Sequence, residues 1–173
     1  VHFHNFLGLS FAIADAVKER EIPMVYTPHN YHLIDPTLYL FRSDLSLWNG
    51  TDFLGNSELA ANLKKRGEYL RREQKACDLL SETIDYTLAV SRRQAEILTD
   101  FAGEDSHITI VNQIPESAEN SEYSKKTYTN RSLRFGFIGG VMPHKGVHIL
   151  AQAAQVAERS QVEIHIYGFG GKE

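Results

Sequence analysis

The sequence predicts an α/β protein built on parallel sheets, in two pieces. Three observations carry that reading. Val1–Thr27 holds strand, helix and strand in 27 residues, and Leu133–Tyr167 repeats the plan. Between them Pro115–Ser132, PESAENSEYSKKTYTNRS, is polar with no apolar period and reads as a linker. Consecutive strands joined by a helix must lie parallel, so both pieces are βαβ in type.

Val1–His4 reads as a short strand, and Gly8 to about Arg20 as a helix with Leu9, Ile13, Ala16 and Val17 on one stripe. Pro23 ends the connection, and Met24–Thr27 is the second strand. Pro28–Asn56 is irregular yet rich in Leu, Tyr and Phe, with the single tryptophan Trp48, which suggests a loop folded over the domain. Ser57 to about Glu82 reads as a continuous helix, with Leu59, Leu63, Leu70, Cys77 and Leu80 turned inward. Tyr86–Val90 is a strand, Ser91 an N-cap with Gln94 three residues on, Gly103 the stop, and Ile108–Val111 one more strand. After the linker come a strand over Leu133–Ile138, a helix over Val147–Arg159 and a strand over Val162–Tyr167.

Composition bounds the function. With 173 residues, 42% hydrophobic and 23% charged, the chain is that of a globular protein, long enough for one domain or two incomplete ones. A formal charge of −4 argues against a nucleic-acid binder. The basic run Lys64-Lys65-Arg66, Arg71-Arg72 and Lys75 is interleaved with Glu68 and Glu73, the pattern of a solvated helix face. The single cysteine, Cys77, excludes an intrachain disulfide and fits a reducing, cytoplasmic setting. No run of about 18 apolar residues is present to span a membrane. The chain starts at Val1 in mid-strand and stops soon after Gly168-Phe169-Gly170-Gly171, so it reads as an internal piece of a longer protein. A sheet cut in this way would expose strand edges, and self-association is expected.

The chemistry concentrates in LRFGFIGGVMPHKGVHIL, Leu133–Leu150. An apolar strand runs into Gly139-Gly140 and then a helix, with Lys145 just before it. Glycines allow close backbone approach, the helix start offers free N–H groups, and lysine adds a point charge, so the segment points to a phosphorylated ligand. Gly168 and Gly170 close the next strand, either as a turn or as the backbone of a nucleotide pocket. His2 and His4 lie on one face of the first strand, read either as packed histidines or, for His4, as a group at the ligand-binding end of a parallel sheet. A rival reading gathers His2, His4, His29 and His32, with Asp35, around zinc in a metal-dependent hydrolase.

Taken in order, several segments resemble the family 4 glycosyltransferases. VHFHNFLGLS is similar to that family's His-any-His strand end followed by Gly-Leu-Ser. VYTPHNYH is similar to its Thr-any-His-Asp loop, with Asn30 in place of aspartate, and TLAVSRRQAEIL to its strand and helix cap. IVNQIP resembles the end of the first domain, with Gln113 for glycine, and Leu133–Leu150 and IHIYGFGG resemble the opening of the second. The resemblance implies the GT-B fold, two facing Rossmann-like domains: residues 1–114 the later part of the acceptor-side domain, 115–132 the crossing, 133–173 the start of the nucleotide-sugar domain. It implies a retaining transfer from a nucleotide-diphosphate sugar to a hydroxyl of a glycan or lipid-linked acceptor, with no cofactor and no metal. Such an acceptor allows peripheral membrane association of the full protein. In this scheme His4 is catalytic beside the sugar, Gly139, Gly140 and Lys145 hold the diphosphate, and Gly168 and Gly170 border the nucleotide. An arginine common in the family after the first glycine is Gly140 here, and the family's paired glutamates lie beyond Glu173, so the chain alone is expected to be inactive. Two other classes stay open beside it: a non-catalytic nucleotide-binding or interaction module, and the zinc hydrolase.

Overall fold

The computed structural model describes residues 1–36, 38–40, 66–112, 133–157 and 162–170. The linker 115–132, Leu59, Leu63, Trp48 and Gly171 lie outside the described residues. The chain divides into two units, Val1–Glu116 and Ser117–Glu173. Each carries its own parallel sheet, which establishes the α/β class with Rossmann-like character.

The first unit runs β1 (His2–Phe3), α1 (Ala12–Lys18), β2 (Val25–Tyr26), α2 (Arg66–Asp78), β3 (Tyr86–Ala89), α3 (Arg92–Ala102) and β4 (Ile108–Ile110). Its strands lie in sequence order β1-β2-β3-β4, all parallel, with Phe3 opposite Tyr26 and Tyr26 opposite Thr87. The ladder continues past the strand ends, where Thr27 N–H donates to Phe3 O (2.9 Å) and Val111 N–H to Ala89 O (2.8 Å). The core is aromatic on the β1 side, where the Phe6 ring stacks on Phe3 at 4.7 Å and meets Tyr26 and Phe11. From the helices it takes Ala14, Ala76, Leu79, Leu80, Ile97 and Leu98.

Helix α1 starts four residues later than the sequence suggests. Gly8 takes φ +77°, a left-handed conformation that turns the chain, and Ser10 Oγ then accepts from Ala12 N–H (3.2 Å). This rotates the inward face to Phe11, Ala14 and Val17, leaving Leu9 and Ile13 exposed. Helix α2 is followed by a single π-helical turn, Leu79–Thr83. Its basic residues do not form a wholly solvated face. Lys75 pairs with Asp15 of α1 at 2.5 Å, and Arg72 lies 5.2 Å over the ring of Phe11, because both project toward α1 and the loop after β2. Cys77 is half-buried, with burial raising its thiol pKa, and its Sγ–H donates to Phe101 O. Helix α3 follows the capping pattern: Ser91 Oγ accepts from Gln94 N–H, and Gly103 at φ +93° ends the helix.

The second unit holds β5 (Leu133–Ile138), a 3₁₀ turn (Pro143–Lys145), α4 (Val147–Val156) and β6 (Val162–Tyr167). β5 and β6 pair in parallel along all six residues, from Leu133 opposite Val162 to Ile138 opposite Tyr167. Helix α4 stops at Val156 because Ala157 turns to an extended conformation. Among the described residues no helix is long and apolar enough to cross a membrane.

Candidate functional site

Two groups of candidate residues form, one in each unit, both where parallel strands end. In the first unit β1 delivers His4 one residue past its end, and β2 delivers Thr27 and His29 just past its own. His2 and His4 alternate onto one side of the chain. Their rings are 4.4 Å apart, and His2 Nε2 is fixed on Thr27 Oγ1 at 2.8 Å. His4 Nδ1 lies 2.9 Å from His29 Nε2. The ring centres are 5.2 Å apart and the planes differ by only 13°. With the facing nitrogens that much closer than the centres, the rings meet edge to edge in one N–H···N hydrogen bond rather than face to face.

The loop carrying His29 is held from behind. Gln94, only 5% exposed, donates its side-chain N–H to Pro28 O (3.2 Å) and accepts from Val90 N–H (2.9 Å). Arg72 donates to Leu33 O (3.0 Å) and to His32 O. Asn30 Oδ1 accepts from His32 N–H at 3.0 Å, closing an Asx turn. A buried amide and a half-buried guanidinium that meet backbone carbonyls fix the loop's path, since breaking these bonds leaves polar groups poorly solvated. Burial and the Arg72 charge lower the pKa of His32, opposed by Asp35, so its neutral form is favoured.

The sequence placed His4 at this edge and brought it together with His29 only as a shared metal ligand, not as a direct hydrogen-bond partner, and it showed Gln94 only as part of a helix cap. A signal was present. Gln94 shares a helical face with buried Ile97 and Leu98, and Arg72 with buried Ala76 and Leu79, at spacings of three, four and seven.

The zinc arrangement does not assemble. A metal between His4 and His29 needs about 2.0–2.1 Å to each nitrogen, and the head-on separation of 2.9 Å leaves no room in line. His32 instead faces Phe11, with ring centres 6.5 Å apart, and its Nδ1 is enclosed without a hydrogen-bond partner among the described residues. Among the described residues no three His, Cys, Asp or Glu side chains gather as a metal site.

In the second unit β5 runs through Gly139-Gly140 into the 3₁₀ turn and α4. The two glycine ends are stitched together, with Gly139 N–H donating to Tyr167 O (3.0 Å) and Val141 N–H to Phe169 O (3.1 Å). A Cβ on Gly168 would overlap the carbonyl oxygen of Gly139, so residue 168 must be glycine for the strand ends to close. A Cβ on Gly170 would meet Val141 only at ordinary contact distance, so nothing there demands glycine. The amides of Lys145 and Gly146 serve the turn, donating to Met142 O and Pro143 O at 3.0 Å each. Among the described residues helix α4 has no side-chain cap: Gly146, at φ +72°, occupies the cap position. Its first-turn N–H groups therefore remain to be satisfied from outside the helix. Lys145 is exposed beside them, and partial burial together with the Lys145 charge lowers the pKa of His144. Comparison with family models, curated proteins and solved structures finds no match.

Proposed function

We propose that this chain belongs to a nucleotide-sugar-dependent, retaining glycosyltransferase of the GT-B type, and that its second unit binds the donor diphosphate. The observation that carries the reading is at the end of β5. A parallel strand runs through Gly139-Gly140 and a lysine-bearing turn into a helix start with no side-chain cap.

Glycosyl transfer is limited by departure of the nucleotide diphosphate from an oxocarbenium-like sugar, and charge or N–H groups fixed at the leaving oxygens lower that barrier. Gly139 has its N–H committed to β6, so the donors assigned to the diphosphate are Gly140, the first turn of α4 and the ammonium of Lys145. Helix dipole and lysine charge favour an anion together. Gly168 acts one step back, by letting β6 close against Gly139. In the first unit His4 is the group assigned to the sugar, and the acceptor is a glycan or lipid-linked hydroxyl.

Titration calorimetry with UDP, GDP and ADP, each against its nucleoside, tests the reading. At least one diphosphate should bind, its nucleoside should bind far more weakly, and Lys145→Ala should lower affinity about tenfold, ~1.4 kcal/mol. Binding that ignores Lys145, or no binding by any of the three, would overturn it.

A further inference from the structure

We propose that His29 is a positioning residue that fixes the tautomer and ring plane of His4, so that His4 presents an Nε2–H donor at the sheet edge. Which nitrogen of a histidine carries the proton is set by the hydrogen bond its other nitrogen makes. Among the described residues His4 Nδ1 has one partner, His29 Nε2, at 2.9 Å. One of these nitrogens must be the acceptor, and two arrangements satisfy the bond. If His4 donated from Nδ1, its ring would take the tautomer that a free imidazole disfavours. If His29 donates from Nε2, both rings keep the favoured Nε2–H form, so the second arrangement is the lower in energy.

The surroundings then hold the pair in place. The His2 ring lies against His4 at 4.4 Å, and the bond to Thr27 Oγ1 anchors it. Gln94 holds the carbonyl of Pro28, the residue immediately before His29. His4 is left with Nε2–H, and His29 with an acceptor at Nδ1, on two exposed neighbouring rings. A hydroxyl both donates and accepts, so a donor beside an acceptor suits a polyhydroxyl ligand. The choice of ligand rests on the transferase reading, whereas the tautomer assignment does not.

Imidazole ¹⁵N NMR of the labelled chain at pH ~8, above the ordinary histidine range, reads the assignment directly. The expected spectrum shows His4 Nδ1 unprotonated, the bridging proton on His29 Nε2, and a scalar coupling across the N–H···N bond. His29→Ala should abolish the coupling and move His4 toward a mixture of tautomers, while His29→Gln, which keeps a side-chain N–H, should return Nδ1 to its unprotonated shift. A proton found on His4 Nδ1, or a His4 spectrum unchanged in His29→Ala, would overturn the proposal. Should the His29 variants lose the fold, His4→Ala read on the His29 resonances makes the same distinction. None of these outcomes depends on nucleotide binding, so this inference and the transferase reading fail separately.

Discussion

The two units separate hydrogen-bond regularity from burial. In the first, strands of two to four residues hold a core in which Phe6, Ala14 and Leu79 are fully buried. In the second, two strands pair along six residues, yet Phe135 is 52% exposed and Ile138 86%. Among the described residues Val147 is the second unit's one buried hydrophobic side chain. A parallel ladder needs only matched backbone groups, whereas a core needs something packed over the side chains. The unit with the longer ladder is thus the one with less hydrophobic stabilisation.

Matched truncations in the two units should separate core from ladder. Phe6→Ala removes a fully buried ring and should cost ~3–5 kcal/mol. Phe135→Ala, made in the longer ladder, should cost under ~1 kcal/mol. Denaturant unfolding, followed by segment-resolved hydrogen exchange, would show whether each loss stays in its own unit. Equal losses would mean that the ladder, not the core, sets stability.

Backbone closure should matter more than packing in the second unit. Gly168→Ala forces a Cβ into the Gly139 carbonyl and should cost ~1–3 kcal/mol, with loss of exchange protection at Gly139. Gly136→Ala, in the same sheet with open space around it, should be neutral or stabilise by ~0.5 kcal/mol. If both substitutions behaved alike, the close approach would carry no weight.

A smaller effect of opposite sign is expected in the first unit. Thr87 is buried in β3 with no hydrogen-bond partner for its hydroxyl among the described residues. Thr87→Val keeps the branched shape and removes the unsatisfied group, so the unfolding free energy should rise by ~1 kcal/mol, and the urea midpoint with it. A drop would reveal a partner for that hydroxyl.

The smallest effect concerns pH. Burial first, and Arg72 second, lower the pKa of His32, so the unfolded chain takes up a proton more readily than the fold. Stability should therefore fall as pH drops from about 6.5 toward the lowered folded value, and be fully present above that window. His32→Gln should shrink the difference in urea midpoint between pH ~7.5 and pH ~5. An unchanged difference would assign the acid sensitivity to other groups.

Much of the fold could be read from local pattern. The limits of β5 and β6, the Ser91 cap, the Gly103 stop and the Lys145 approach to α4 depend on alternation, capping and glycine conformation within a few residues. The register of α1 could not be read this way, because the turn at Gly8 rotated its apolar stripe. The inward side of Arg72 showed in its spacing to Ala76 and Leu79, but its partner Phe11, like the Asp15 partner of Lys75, lies on another helix or its approach and did not.

The chain's local pattern was enough for the parallel α/β units, the place of most elements, and the histidines and glycines that end the strands. The meeting of His4 with His29, the hold of Gln94 on Pro28 and the closure of Gly168 on Gly139 come from the fold alone. The difference is one of range. Helix caps and strand alternation are settled by neighbours in the chain, but these contacts join residues 25 to 66 positions apart. They exist only once the parallel register has brought separate strand ends side by side.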